Sequence, residues 1–184
     1  IFVGHYPHYP NEEAALYFCR EIFPLVKKIV PEAVLKLVGS DPTENIIKLS
    51  KIDGVQVIGT VPDVNPYLQD ASVFICPFKS SAGIKGKVLE AMATGTPVVC
   101  TTRGSYGIDA INGLNILIAD KAKDFAKNIV ELLENDELYK KLAHSARMLV
   151  EEKYDWEKIA KKLDAVYADL MESDSGGKQV EPDI

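Results

Sequence analysis

Cysteine, histidine and tryptophan are scarce in this chain, at three, three and one among 184 residues, and each scarcity excludes a class of chemistry. Cys19, Cys76 and Cys100 are odd in number, sit in apolar surroundings and lack the spacing of a metal knuckle or a disulfide framework, so they read as reduced core thiols. His5, His8 and His144 come with no supporting ligand cluster, so no metal site is expected. An excess of positive charge is also missing. With 21 Lys and Arg against 27 Asp and Glu the formal net charge is -6, which argues against nucleic acid or an anionic membrane surface as the main partner. Any anion site must therefore be local. No apolar run approaches the ~20 residues needed to span a bilayer, and nothing at the amino terminus reads as a signal peptide. The expectation is a cytoplasmic domain, with a peripheral place at the inner face of a membrane left open.

What is present is enough apolar residue, 47% of the chain, for one well-buried core. Residues 1–4 (IFVG) read as a strand without a lead-in, as in a domain excised from a longer chain. Short apolar runs bounded by turn residues recur at 34–38, 55–58, 73–76, 98–100 and 115–118, with the continuous apolarity of strands covered on both faces. Asn11 can cap a helix in which Ala15, Phe18, Cys19, Ile22, Leu25, Val26 and Ile29 keep helical spacing, and Pro24 should kink or divide it. A short helix is expected over 43–51, another capped by Asp63, and three more over 125–133, 137–150 and 156–171. A tail at 173–184 has nothing to pack and should be mobile. Strands alternating with helices predict the α/β class: a Rossmann-like, doubly wound parallel sheet of six strands in order 3-2-1-4-5-6, within one domain over 1–172. In such a sheet ligands bind beyond the strand carboxyl ends, at the switch between the first and fourth strands.

Residues 83–99, GIKGKVLEAMATGTPVV, lie at that switch. They form a glycine-flanked loop, a short helix of good helix formers and the next strand. The loop opens a helix whose unpaired N–H groups and dipole favour an anion. Lys85 and Lys87 add positive charge, Gly83 and Gly86 admit a ligand close to the backbone, and Glu90 falls three residues after Lys87 on roughly the same face, suited to ribose hydroxyls. The spacing alone equally fits an ordinary βαβ crossover with a solvated Lys/Glu face.

The local sequence resembles the donor-binding signature of family-4, GT-B-type glycosyltransferases (glycosyl transferases group 1). That pattern is a glutamate, seven residues, then Leu-Glu-Ala-Met-Ala, Gly, one residue and Pro-Val-Val. Leu89 to Ala93, Gly95 and Pro97 to Val99 match it position by position, while its first glutamate falls on Ala82. The chain looks like a sub-branch carrying a Gly-x-x-x-Lys loop instead, and the likeness runs from Ile1 to about Leu170.

The resemblance implies a metal-independent, cofactor-free, retaining transfer of a sugar from a nucleotide diphosphate sugar to a glycan, lipid or small-molecule acceptor. The acceptor site and catalytic residue would then lie on an amino-terminal domain that this chain lacks, leaving the isolated domain inactive. Donor contacts carried over are Gly4, His5, Val61, Gly83, Ile84, Lys85, Gly86, Lys87, Val88 and Glu90, with Glu90 on the ribose and Val61 and Pro62 at the base-binding turn. Many relatives carry an arginine where His5 stands and a lysine where Asn11 stands, so Lys85 and Lys87 are the expected replacements for that charge. His5 fits donor contact or loop packing equally, Gly39 and Ser40 are weaker pyrophosphate candidates, and Arg103 could reach an anion or be solvated. Tyr154 and Trp156 read as core or interdomain packing. A non-catalytic nucleotide-binding or protein-interaction module remains the rival reading, and an epimerase of the same fold ranks behind it.

Overall fold

Six short parallel strands carry the molecule's most buried side chains. β1 (Phe2–Val3), β2 (Leu35–Val38) and β3 (Val55–Gly59) form one three-stranded sheet with β2 in the middle, and β4 (Phe74–Cys76), β5 (Val98–Cys100) and β6 (Leu117–Ile118) form another with β5 in the middle. This differs from the single six-stranded sheet expected above, and the reason is local. Ile1 N donates to Val73 O (2.8 Å) and Ile75 N donates to Ile1 O (2.9 Å), the bonding of one parallel pair opposite Phe74. One pair is too short a ladder to count as a continuous sheet, yet it sets the strands side by side in the order 3-2-1-4-5-6. The computed structural model describes residues 1–80 and 82–175.

Phe2, Leu37, Val38, Phe74, Cys76, Val98, Val99 and Cys100 are buried because helices cover both faces. α1 (Tyr9–Tyr17) runs into α2 (Phe23–Ile29) through a π-helical turn, Phe18–Ile22, closed by Phe23 N donating to Phe18 O. The expected break at Pro24 therefore takes the form of a widened turn just before it. The ring removes an N–H and crowds the preceding carbonyls, and the chain accommodates both by adding a residue to the turn. α3 (Glu44–Lys48) is capped by Thr43, and α4 (Asn65–Gln69) begins one residue later than a cap at Asp63 requires. Asp63 instead accepts from Asn65 N (2.9 Å) in a local turn. α5 (Gly86–Ala93) buries Val88, Ala91 and Met92 and packs on α7 (Asp136–Lys153), which follows α6 (Ala122–Glu134) after an Asn135 cap.

Two expectations at the ends need correction. Trp156 opens α8 (Trp156–Ser175), a helix that packs chiefly on α7, and is 84% exposed rather than part of the core. Residues 173–175, expected in the tail, continue α8, while the tail expected at 176–184 lies outside the described residues. Cys19, Cys76 and Cys100 are free and buried, as their apolar settings imply.

Candidate functional site

At the carboxyl edge of the strands the chain leaves β1 and β4 in opposite directions, because β1 connects towards β2 and β4 towards β5. The two exits enclose a cleft of about 420 Å³. His8, Pro10 and Asn11 line one wall, and Phe78, Ala82, Ile84, Lys85, Gly86 and Lys87 line the other. This is the crevice a doubly wound sheet offers to a ligand. A hollow of about 390 Å³ also opens at the opposite edge, among Val34, Lys36, Asp70 and Val73. Its Lys36 is already paired with Asp70 at 2.6 Å, so it presents an apolar surface and a closed ion pair.

The glycines at the strand ends shape the floor of the cleft. Gly39 has φ +141, and a Cβ there would fall 1.7 Å from Gly4 O, so the β1 and β2 exits can touch only as bare backbone. A Cβ on Gly4 would lie 3.1 Å from Cβ of Asn11. Gly4 is thus buried beneath the cleft, and the room it leaves is taken by the Asn11 side chain. Asn11 does not cap α1, as its sequence suggested: Pro10 draws the helix start back to Tyr9, with His8 at the cap position. From inside the first turn Asn11 donates through Nδ2 to His5 O (2.8 Å) and accepts from Lys87 Nζ (2.7 Å) on Oδ1.

Both lysines turn into the structure. Lys85, 8% exposed, donates to the carbonyls of Ala82 and Gly83, which folds the loop over its own ammonium. Lys87 lies 5.0 Å from the ring centre of Phe2 and 5.2 Å from that of Phe78. An ammonium has three donors, so one N–H of Lys85 and two of Lys87 have no hydrogen-bond partner among the described residues. Burial lowers the pKa of Lys87 to about 8, with Glu90 opposing the change and Lys85 adding to it. Lys85 is lowered too, by burial first and also by the like charge of Arg103. Arg103 is carried by the turn after β5. Thr101 ties that turn to the β4 exit by donating to Phe78 O (2.6 Å) and accepting from Gly104 N (3.0 Å).

Lys85 and Lys87 therefore converge at the start of α5, with Arg103 outside the cleft lining but near enough to repel Lys85, and among the described residues no carboxylate forms an ion pair with any of the three. The amides of Gly86 and Lys87 in the first helical turn also have no backbone partner among the described residues. Such an arrangement can hold a compact, multiply charged anion. Cys76, beneath the lysines, has its thiol pushed up to about 12 by burial and stays neutral.

The other sequence-derived candidates are spread around this centre. Ile84, half exposed, and Gly86 stand at the cleft surface, and Gly83, with φ +73, forms the bend before them. Val88 is buried and its amide already donates to Lys85 O, so it supports the loop from below. Glu90 is exposed on the second turn of α5, near enough to Lys87 to favour its charged form. His5 does not line the cleft. Its Nδ1 meets Ser40 Oγ at 2.8 Å and lies 3.6 Å from Asp41 Oδ2, which ties the β1 exit to the β2 exit. Val61, packed against the core beyond β3, also stands apart from the cleft lining. Sequence reasoning missed the bond from Asn11 to Lys87, since no local pattern links positions 76 apart.

Comparison with known proteins agrees with this architecture. Among solved structures, a TarM mutant of S. aureus in complex with Fondaparinux, alpha-GlcNAc-glycerol and UDP superposes with a TM-score of 0.73 at 22% identity, over 90% of this chain and 35% of that one. Anabaena HepE in complex with UDP superposes at 0.71 and 16% identity, over 91% and 48%. At these identities the likeness shows the fold, that of the GT-B glycosyltransferases. In sequence, the capsular polysaccharide biosynthesis glycosyltransferase CapM of Staphylococcus aureus is 28% identical over 151 residues, 77% of this chain and 39% of that protein. The chain spans between 37% and 43% of the length of the first curated relatives it matches. The family model for glycosyl transferases group 1 matches residues 1–135, and the chain belongs to that family.

Proposed function

We propose that this chain is the donor-binding half of a retaining glycosyltransferase that moves a sugar from a nucleotide diphosphate sugar to a glycan, lipid or small-molecule acceptor, with no metal or cofactor. The observation that carries the reading is the convergence of Lys85 and Lys87, without a paired carboxylate among the described residues, on the open first turn of α5. A leaving diphosphate gains negative charge as the glycosidic bond breaks. Cations and amides already aimed at it lower the barrier without reorganising. Glu90, one turn along the same helix, accepts from the ribose hydroxyls, and Val61 borders the base. UDP in the complexes of TarM and HepE supports a uridine nucleotide as the first donor to try.

The acceptor and the group that attacks or stabilises the anomeric carbon belong, on this reading, to a part of the protein outside these 184 residues. A non-catalytic module is the competing account, favoured by Ala82 at the position of the signature's first glutamate. A fluorescence or calorimetric titration against UDP, GDP and ADP separates donor binding from a protein-interaction module that binds no nucleotide. Saturable binding of one diphosphate supports donor binding, and no saturable response to any of them contradicts it.

A further inference from the structure

We propose that Asn11 is a positioning residue: it holds the Lys87 ammonium at the cleft without neutralising it, and so sets the preference for a nucleoside diphosphate over the bare nucleoside. The inference rests on the donor-site reading above.

Asn11 is buried, 7% exposed, in the first turn of α1, where its side chain serves neither as the helix cap nor as apolar packing. Both ends of its amide are committed, Nδ2 to His5 O and Oδ1 to Lys87 Nζ. The first bond fixes the amide's orientation, because the NH2 end must face the carbonyl and the oxygen must then face the lysine. The second fixes a side chain with four rotatable bonds that would otherwise lose much rotamer freedom when an anion binds.

The partner's neutrality matters as much as its geometry. An aspartate would hold Lys87 equally well but would cancel its charge at the point where an anion must bind, whereas an amide orients the cation and leaves its field intact. The groups that face Lys87 electrostatically are the Cys76 thiol of β4, Lys85 of the loop and Glu90 of α5; α1 contributes only the neutral Asn11. The lowered pKa of Lys87, about 8, agrees with a cation held by an uncharged partner in a partly dry setting. Gly4 completes the device, since the absence of its Cβ lets the amide reach across the β1 exit.

The test uses the whole chain, with UDP and uridine as probes and their affinities measured by calorimetry from pH 7 to pH 9.5. In the wild type the ratio of UDP to uridine affinity falls as Lys87 loses its proton; the ratio is the readout because the uracil ring common to both probes ionises towards the top of this range. Asn11→Asp is expected to lower the UDP affinity at least tenfold with uridine unchanged, and to move the inflection upward, because the carboxylate retains the proton on Lys87. Asn11→Ala is expected to lose several-fold for UDP, and in a Lys87→Ala background the same change should add no further loss. Should these variants fail to fold, the wild-type Asn11 side-chain amide signals in NMR must follow the same pH inflection as the ratio of UDP to uridine affinity. Unchanged UDP preference and inflection in Asn11→Asp, or Asn11 signals that ignore the inflection, overturn the inference alone. A wild-type chain that binds neither UDP, GDP nor ADP overturns the donor-site reading and the inference together.

Discussion

Lys87 and Glu90 stand three residues apart on α5, and under the proposed function they divide the work of a donor site. The Lys87 ammonium, with its pKa lowered to about 8, is protonated at pH 7 and loses its proton as pH rises through that value. A diphosphate binds the protonated form, so its affinity should be full near neutrality and fall above about pH 8, with proton uptake detectable when the titration is run near the midpoint. The same sign applies to folding. A pKa lowered below the unfolded lysine value of about 10.4 means the charge costs stability at neutral pH, and the cost is relieved as pH climbs from about 8 towards that value. Lys87→Ala should weaken diphosphate more than nucleoside, and because the fold buries this lysine, salt should erode the wild-type preference less than it would for an exposed charge. Equal losses for both ligands would assign Lys87 to packing. Glu90→Ala should cost roughly 1.5 to 3 kcal/mol in nucleoside diphosphate binding, tenfold or more, with melting unchanged because Glu90 is exposed. Full affinity in a folded Glu90→Ala protein would remove the residue from the site. At this scale the loop lysines were legible in the sequence, because glycines and helix formers mark the loop around them. Their actual partners, Asn11 and the carbonyls of Ala82 and Gly83, were not, since they depend on which loops the sheet brings together.

Element by element, the strands were the most readable feature, since each is a short continuous apolar run between turn residues. Helix starts were less so. Asn11 and Asp63 both have cap chemistry, but Pro10 sets the start of α1 before Asn11, and Asp63 spends its carboxylate on a local turn instead. The contact between the β1 and β2 exits is a further element that only three dimensions reveal. Gly39→Ala would place a methyl group 1.7 Å from Gly4 O at a backbone angle that L residues rarely adopt. It should destabilise the fold by at least ~1 to 3 kcal/mol, read as a lower urea midpoint with little change in slope. A variant as stable as the wild type would mean that the two exits move apart freely, and the cleft floor would not be the rigid platform described here.

For the molecule as a whole, the strand order was legible because a doubly wound sheet leaves few alternatives, while the single-pair seam at Ile1 was not. The seam lies towards the opposite strand edge, where Ile1, Val73 and Ile75 line the second hollow, while beyond the carboxyl ends the two half-sheets each contribute one wall of the cleft. Under the proposed function the whole chain should bind a nucleoside diphosphate but neither transfer nor rapidly hydrolyse a sugar nucleotide, because proximity catalysis needs both reactants in place. Turnover of UDP-glucose by this chain alone, followed by release of UDP, would show that the catalytic group lies within it. The central claim is that the diphosphate sits where Lys85, Lys87 and the first turn of α5 meet Asn11. It is tested most directly by following backbone amide NMR signals of the wild-type chain as UDP is added. The account predicts saturable shifts that are largest at Gly86, Lys87 and Asn11 and small around Val34 and Val73; shifts centred on that opposite edge, or none that saturate, would contradict it.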